Sequence, residues 1–481
     1  MNRRMVFYTI GQILLAEAIM LILPMIVALY YHESGWREFL ITAAISAVSG
    51  GLLMLLKPKN RLIYAREGFA IVALAWVVMS IIGSVPFYIS GEIPHYADAL
   101  FETVSGFSTT GASILSNIEG LSNCMLFWRS FTHWVGGMGV LVFVLTIVPL
   151  AGSRAIHLMR AELTGPIVDK IVPKMKDSAK ILYGIYIVLT LLEIFFLAMG
   201  GMPIFDSINH ALSTAATGGF SIKNLSVSAY DSAYFDTVIT IFMLLFGINF
   251  NMFYLLLVGN FKSILKNEEL RTYIGIVIAA IAMITVNILS LYDSAAEALR
   301  YASFQVVAII TTSGFMTADY ELWPDLSRII LLLLMIVGGC AGSTAGGFKI
   351  ARILLLVRVM RREIQKLLHP RLVSTVKLGG KVVSQDAISG TFAYLAIYIG
   401  IFLISLFLLS FEGHGFEVTF TAALSSLNNI GPGFGLIGPT GNFAFFSDFS
   451  KVILMINMLF GRLEIFPILL TFAPSTWRKR A

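Results

Sequence analysis

The sequence predicts an all-α integral membrane protein: ten transmembrane helices plus four re-entrant pore helices, built as four pseudo-symmetric membrane–pore–membrane repeats around one pore. Three observations predict it. Of 481 residues, 57% are hydrophobic and 13% charged, about half the charged share of ordinary soluble chains, so the surface must face lipid. Apolar runs long enough for the roughly 30 Å of a bilayer core recur along the whole chain. A short glycine-bearing loop also returns four times at similar spacing.

The first apolar run starts at Val6 with no small-residue cleavage site and reads as a retained helix. Spans are expected near 6–30, 38–56, 68–90, 124–150, 180–200, 233–259, 272–292, 326–360, 385–411 and 448–473. With Arg3 and Arg4 inside and sides alternating, 27 of the 34 Lys/Arg fall in inner segments. Six lie on the outer side (Arg37, Arg129, Lys223, Arg300, Arg328, Lys451), and Arg462 is left inside the last span. That bias predicts both termini in the cytoplasm. Acids run the other way, 17 outside against 8 inside. An acidic mouth concentrates cations, while the basic inner face suits anionic lipid. The net charge of +6 is therefore a topology signal and implies no nucleic acid.

After two extra N-terminal spans (1–60), four repeats follow: 61–170, 171–266, 267–380 and 381–481. Each runs span, short outer segment, re-entrant helix, loop, span. The loops are Thr109-Thr110-Gly111-Ala112-Ser113, Thr217-Gly218-Gly219-Phe220-Ser221, Thr312-Ser313-Gly314-Phe315-Met316 and Asn429-Ile430-Gly431-Pro432-Gly433. The segments before them (97–108, 205–216, 297–311, 416–428) are too short to span. They begin near Asp98, Asp206, Glu297 and Glu417, acids that suit a helix N-terminus. A second glycine follows each loop by 25 to 30 residues: Gly137, Gly247, Gly339 and Gly461. Unpaired backbone inside a bilayer costs several kcal/mol per group unless it lines water or coordinates something. Four such loops on one axis form rings of carbonyl oxygens that replace the hydration shell of a monovalent cation. Glycine supplies the backbone angles this needs, and Thr109, Thr217, Thr312 and Asn429 offer further oxygens.

Two other features carry functional weight. Gly338–Gly347, GGCAGSTAGG, breaks the eighth span with ten consecutive small residues and suits a movable plug below the loops. It lacks the Gly-Lys-Ser/Thr ending of a phosphate loop. Arg462 is a charge inside a span, expensive and so by default functional. It is expected to project into the pore below the filter and set the barrier to flow; the structural alternative is a pair with Glu464 or another buried acid. For Glu17 and Glu193, also within spans, helix pairing and proton chemistry both stay open. Cys124 and Cys340 exclude a disulfide scaffold or thiolate metal site. His32, His95, His133, His157, His210, His369 and His414 form no i,i+4 metal pair, and no catalytic constellation emerges, so no enzyme is expected.

The stretches FSTTGAS, HALSTAATGGFS, ITTSGF, NNIGPGFG, GGCAGSTAGGFK and FGRLEIFP occur in this order. They resemble the Trk/Ktr/HKT superfamily of potassium transporters, within it the bacterial TrkH/TrkG membrane subunits, over essentially the whole chain. The resemblance implies potassium uptake across the bacterial inner membrane through a gated, channel-like pore. It implies a homodimer, opened by a TrkA-like cytosolic subunit that binds NAD or ATP, with K⁺ as the transported ion and no organic cofactor. Filter residues carry over to Thr110, Gly111, Gly218, Gly219, Ser313, Gly314, Ile430 and Gly431. The gating loop carries over to 338–347, with Gly338, Gly339, Gly342, Ser343, Thr344, Gly346 and Gly347 its small members, and Arg352–Lys366 reads as a basic helix end or docking face for the regulatory ring. The alternative is a Na⁺- or H⁺-coupled K⁺ symporter using broken helices. Inverted repeats would favour it, whereas the odd spacing of spans keeps all four repeats in one orientation.

Overall fold

A computed structural model describes residues 2–58, 65–147, 175–371 and 374–477. Lys59, Arg61, the basic segment 151–174 and Arg478–Arg480 lie outside the described residues, as do the expected repeat boundaries at 60/61 and 170/171. The architecture is helical throughout. Its one strand pair among the described residues is the hairpin Lys377–Leu378 against Lys381–Val382. The hairpin turns on Gly379 and Gly380, both at positive φ (56° and 78°), as a two-residue hairpin loop requires.

The extra N-terminal pair is a span over Arg3–Tyr30 and a helix over Trp36–Met54. They cross where Gly11 and Gly50 meet: a methyl on Gly11 would lie 2.7 Å from the Gly50 carbonyl oxygen, and one on Gly50 2.8 Å from that of Gly11. Close approach through small residues holds helices together where lipid removes the hydrophobic drive. The first helices of the four repeats are Arg66–Ile89, Lys180–Met199, Glu268–Leu291 and Gln385–Glu412. Their outward sides are apolar, with Ile278, Val286 and Phe407 all more than 60% exposed. Such a belt is stable only in hydrocarbon.

The re-entrant helices are Tyr96–Phe107, Ile204–Ala215, Ala295–Ile310 and Phe416–Asn428. Each carries an acid in its first turn and buries most of its second half. The returning helices differ from one another. In repeat 1, Asn123–Ile147 is one helix. In repeat 2 the span expected over 233–259 is two helices, Ala233–Phe246 and Phe250–Leu257, bent by 92° at Gly247-Ile248-Asn249. Asn249 caps the second helix by accepting the Asn251 amide. Repeat 3 breaks between Asp325–Val337 and Ile350–Leu368, as its glycine content predicts. In repeat 4 the expected span 448–473 turns by 119° between Asp448–Arg462 and Phe466–Phe472. That turn is Leu463-Glu464-Ile465, between Gly461 and Pro467, which stands in the first turn of the second helix; Glu464 and Ile465 adopt φ of 56° and 62°.

Candidate functional site

Every re-entrant helix ends the same way. Thr109, Thr217, Thr312 and Asn429 lie at φ of 55° to 57°, the left-handed position that glycine usually fills at a helix end. The following amide reaches back five residues: Thr110 N to Ser105 O at 2.9 Å, Gly218 N to Ser213 O at 2.9 Å, Ser313 N to Ala308 O at 2.8 Å and Ile430 N to Ser425 O at 3.1 Å. A threonine held there is strained by about 1–2 kcal/mol, and such strain concentrates at functional sites. One residue further, Gly111, Gly219, Gly314 and Gly431 are again at positive φ, 71° to 98°. The residues between each pair, Thr110, Gly218, Ser313 and Ile430, lie outside the left-handed region.

The four loops close a ring. A methyl on Gly111 would overlap the carbonyl oxygen of Gly218, one on Gly219 that of Ser313, and one on Gly314 that of Ile430. A methyl on Gly431 would lie 2.8 Å from the carbonyl oxygen of Thr110. The sequence-predicted filter residues are therefore brought together, each glycine against the residue before the glycine of the next repeat. The carbonyl oxygens of Thr110, Gly218, Ser313 and Ile430 accept no hydrogen bond from the described residues, although buried carbonyls are normally paired. Two residues past the glycines the pattern reverses. Ser113 O accepts from Phe443 N (2.8 Å), Ser221 O from Arg129 Nη1 (2.7 Å), Met316 O from Ser228 N (3.1 Å) and Gly433 O from the Tyr320 hydroxyl (3.0 Å). The run of free carbonyls is short and ends there, and in repeat 4 it ends sooner, since Gly431 O accepts from Ser425 Oγ at 2.8 Å.

Sequence reasoning missed what holds the ring together at its acidic rim. Arg300 pairs with Asp236 (2.6 Å), linking repeats 3 and 2. Arg328 pairs with Glu417, linking repeats 3 and 4, and Lys451 with Asp98 (2.5 Å), linking repeats 4 and 1. Beside the second of these, Glu321 also binds Arg328 and accepts the Gly435 amide at 2.6 Å. Burial raises its carboxyl above the ordinary range, opposed by that amide and by Arg328. Arg129, placed by the charge pattern on the outer side, is buried and pairs with Glu102 at 2.5 Å. Five of the six cations that broke the charge asymmetry are thus ion-pair partners at or beside the repeat seams, Lys223 standing 3.8 Å from Glu119 of repeat 1. Their exception to the rule was the signal.

Of the second set of glycines, Gly137 and Gly247 pack repeat against repeat. A methyl on Gly137 would meet Ala216 at 2.7 Å, and one on Gly247 would meet Thr311 at 2.8 Å, each at the C-terminal end of the next re-entrant helix. Gly461 lies against Leu427 O of its own repeat, and the matching contact in repeat 1 is made by Gly136 against Phe107 O. Gly137 alone was expected there; the adjacent Gly136 shares the task. Tyr186 and Tyr273 lock these seams by donating to Trp134 O (3.2 Å) and Leu244 O (3.3 Å).

On the basic side of the ring sits Gly338–Gly347. Gly346 N donates to Thr312 Oγ1 at 2.7 Å and Gly347 N to Asn428 O at 3.0 Å, so the loop abuts the base of the third and fourth re-entrant turns. Cys340 N donates to Gly247 O (3.0 Å) and Phe250 N to Gly342 O (3.1 Å), seating it in the break of repeat 2. Gly338, Gly342 and Gly347 adopt φ of 69° to 80°. Arg462 donates to Thr344 O at 2.7 Å and to Gly136 O at 2.8 Å. Its expected structural alternative, a pair with Glu464, is not formed: Glu464 accepts from Arg352 at 2.7 Å and lies 3.4 Å from Lys349. No carboxylate pairs with Arg462 among the described residues, and two carbonyls hold it. Glu17 and Glu193 are buried without an ion-pair partner among the described residues, and Glu193 faces Thr214 on the second re-entrant helix.

Four re-entrant helices closing a ring of unpaired carbonyls inside a lipid-facing helical body define a membrane transport protein for cations. The family model described as "Cation transport protein", TrkH, matches residues 35–479. The chain is 37% identical to the Trk system potassium uptake protein TrkH of Salmonella typhimurium and 36% to that of Escherichia coli, with all of each chain covered. Escherichia coli TrkG is 31% identical over 99% of both chains. The crystal structure of the potassium transporter TrkH from Vibrio parahaemolyticus superposes with a TM-score of 0.90 at 32% identity, covering 99% of this chain and 100% of that one. The chain belongs to the TrkH family.

Proposed function

We propose that this protein takes up potassium across the bacterial inner membrane through a gated, channel-like pore. The residues at 110–111, 218–219, 313–314 and 430–431 are its selectivity filter. The observation that carries this reading is the closed ring, in which each loop glycine abuts an unbonded carbonyl of the next repeat. Carbonyl oxygens in such a ring substitute for the water around an alkali ion. The relatives' names, potassium uptake proteins of the Trk system, agree with that ion. The acidic face is the outer mouth and both termini are cytoplasmic, on the charge bias. The loop 338–347 and Arg462 form the barrier on the cytoplasmic side. A homodimer working with a TrkA-like nucleotide-binding subunit completes the system. The basic helix Ile350–Leu368, which leaves Met360, Ile364, Leu367 and Leu368 exposed beyond the gating loop, is the face for that subunit.

The test is uptake of radioactive Rb⁺ by purified protein in liposomes, with K⁺ or Na⁺ as competitor and with current reversal potentials alongside. The expected outcome is uptake down the gradient, suppressed by K⁺ more than by Na⁺, and a reversal potential that follows the K⁺ gradient. Absence of Rb⁺ uptake defeats the reading, and a reversal potential that shifts with pH or Na⁺ replaces it with coupled symport.

A further inference from the structure

The seam between repeats 1 and 2 is built unlike the other three. Asp236, Arg328 and Lys451 each stand three residues into their returning helix and pair with the first half of the next re-entrant helix. The same position in repeat 1 is Leu126, packed in one apolar cluster with Phe205. That helix position offers no ion pair, and the pair this seam has at the rim, Lys223 with Glu119 at 3.8 Å, is longer than the other three and partly exposed on both sides. Instead the Glu102–Arg129 pair lies deeper, its side chains 0% and 3% exposed.

Its hydrogen bonds go to the two loops themselves. Glu102 accepts Ser113 Oγ at 3.0 and 3.2 Å and the Ile114 amide at 3.0 Å, fixing the outer limb of the first loop. Arg129 donates to Ser221 O, the outer limb of the second, at 2.7 Å. Its guanidinium also lies 3.6 Å over the ring of Phe220, whose other neighbour is the His133 ring stacked at 3.9 Å. Arg129 and His133 are four apart on one helix, so they share a face, and Phe220 is the residue directly after Gly219. In repeat 2 the residue matching Glu102 is His210, which bonds Ser221 Oγ at 3.1 Å. In repeat 4 that residue is Ala422, with no polar group to offer.

We infer that Glu102 and Arg129 are positioning residues, a buried clamp that sets the spacing between the first and second filter loops and with it the discrimination between K⁺ and Na⁺. The inference rests on the pore reading above. A buried ion pair adds little net stability, and one retained inside a membrane protein at a functional ring serves geometry. Charge-assisted bonds to carbonyls and amides are short and directional, which holds a loop at one distance. The first two loops are joined at depth by this clamp as well as by the exposed Lys223–Glu119 contact, whereas the other seams carry only the rim pairs named above.

Arg129→Lys keeps the charge opposite Glu102 but loses the fork that reaches Ser221 O and the flat stack on Phe220. Glu102→Gln keeps size while removing charge. In the liposome assay, both variants are expected to carry Rb⁺ with the Rb⁺/Na⁺ preference reduced roughly tenfold, the scale of one charge-assisted bond. Glu102→Gln leaves Arg129 buried and unpaired; if it does not fold, Arg129→Lys alone decides. Wild-type preference in Arg129→Lys at equal incorporation overturns the clamp, even if its thermal stability drops. A wild-type protein that carries Rb⁺ and Na⁺ alike leaves the cation pore standing and overturns the clamp, and one that carries neither overturns the pore reading itself.

Discussion

The acidic half of this molecule repeats four times, and the basic half does not repeat at all. On the acidic side, four helices of similar length end in the same left-handed residue, the same back-bonded amide and the same positive-φ glycine. On the basic side, one returning helix is continuous, one bends by 92°, one is interrupted by ten small residues and one bends by 119°. In the filter proposed above, a central ion would contact every repeat at the ring, so any loop departing from the common geometry would leave one carbonyl out of reach. Below the ring no such demand exists. A barrier needs a single obstruction, and the one proposed above draws only on repeats 3 and 4, through the loop and Arg462.

The largest break in that comparison comes from the ring. Gly219→Ala adds a methyl that overlaps Ser313 O at a φ of 78°. Strain of roughly 3 kcal/mol corresponds to a loss of about a hundredfold in Rb⁺ uptake. Gly431→Ala, whose methyl would stand 2.8 Å from Thr110 O, should lose less, roughly tenfold. Equal uptake by Gly219→Ala and wild type would falsify the ring as the conducting element.

On the unequal side, Arg462→Ala removes both bonds that tie Thr344 and Gly136 together beneath the ring. Charge-assisted bonds of this kind are worth about 1.5–3 kcal/mol each. In liposomes holding only this protein, cation flux should rise roughly tenfold at equal incorporation. Unchanged flux would place the barrier elsewhere.

The smallest effect sharpens the fourfold side. Ser425 Oγ donates to Gly431 O at 2.8 Å, a bond the third repeat lacks because Ala308 stands at that position. Ser425→Ala copies repeat 3 into repeat 4. Rb⁺ uptake should stay within about threefold of wild type, the weight of one neutral hydrogen bond. A loss as large as that of Gly219→Ala would show that the repeats are not interchangeable even at the ring.

Much of the acidic half was legible beforehand. Phe416–Asn428 is the helix read from the sequence, and the other three re-entrant helices agree to within two residues. Repetition made this possible, since four weak motifs in register reinforce one another. The sharpness of the 92° and 119° bends was hidden, although Gly247, Gly461 and Pro467 stand beside them. Glu464 and Ile465 are ordinary residues in strained conformations, held by Lys349 and Arg352 from more than a hundred positions upstream. The seam pairs were hidden for the same reason: Lys451 meets Asp98 across 353 positions.

Composition and periodicity by themselves determined that this chain lives in lipid, crosses it repeatedly and dips back four times. Those outcomes follow from local solvation: every apolar run must leave water, and every backbone group left inside must find a use. Only the tertiary structure decided that the four dips close on one another, which charges pin the seams, and where the returning helices break. Each of those depends on atoms far apart in the chain meeting within a few ångströms, and no local preference encodes such a meeting.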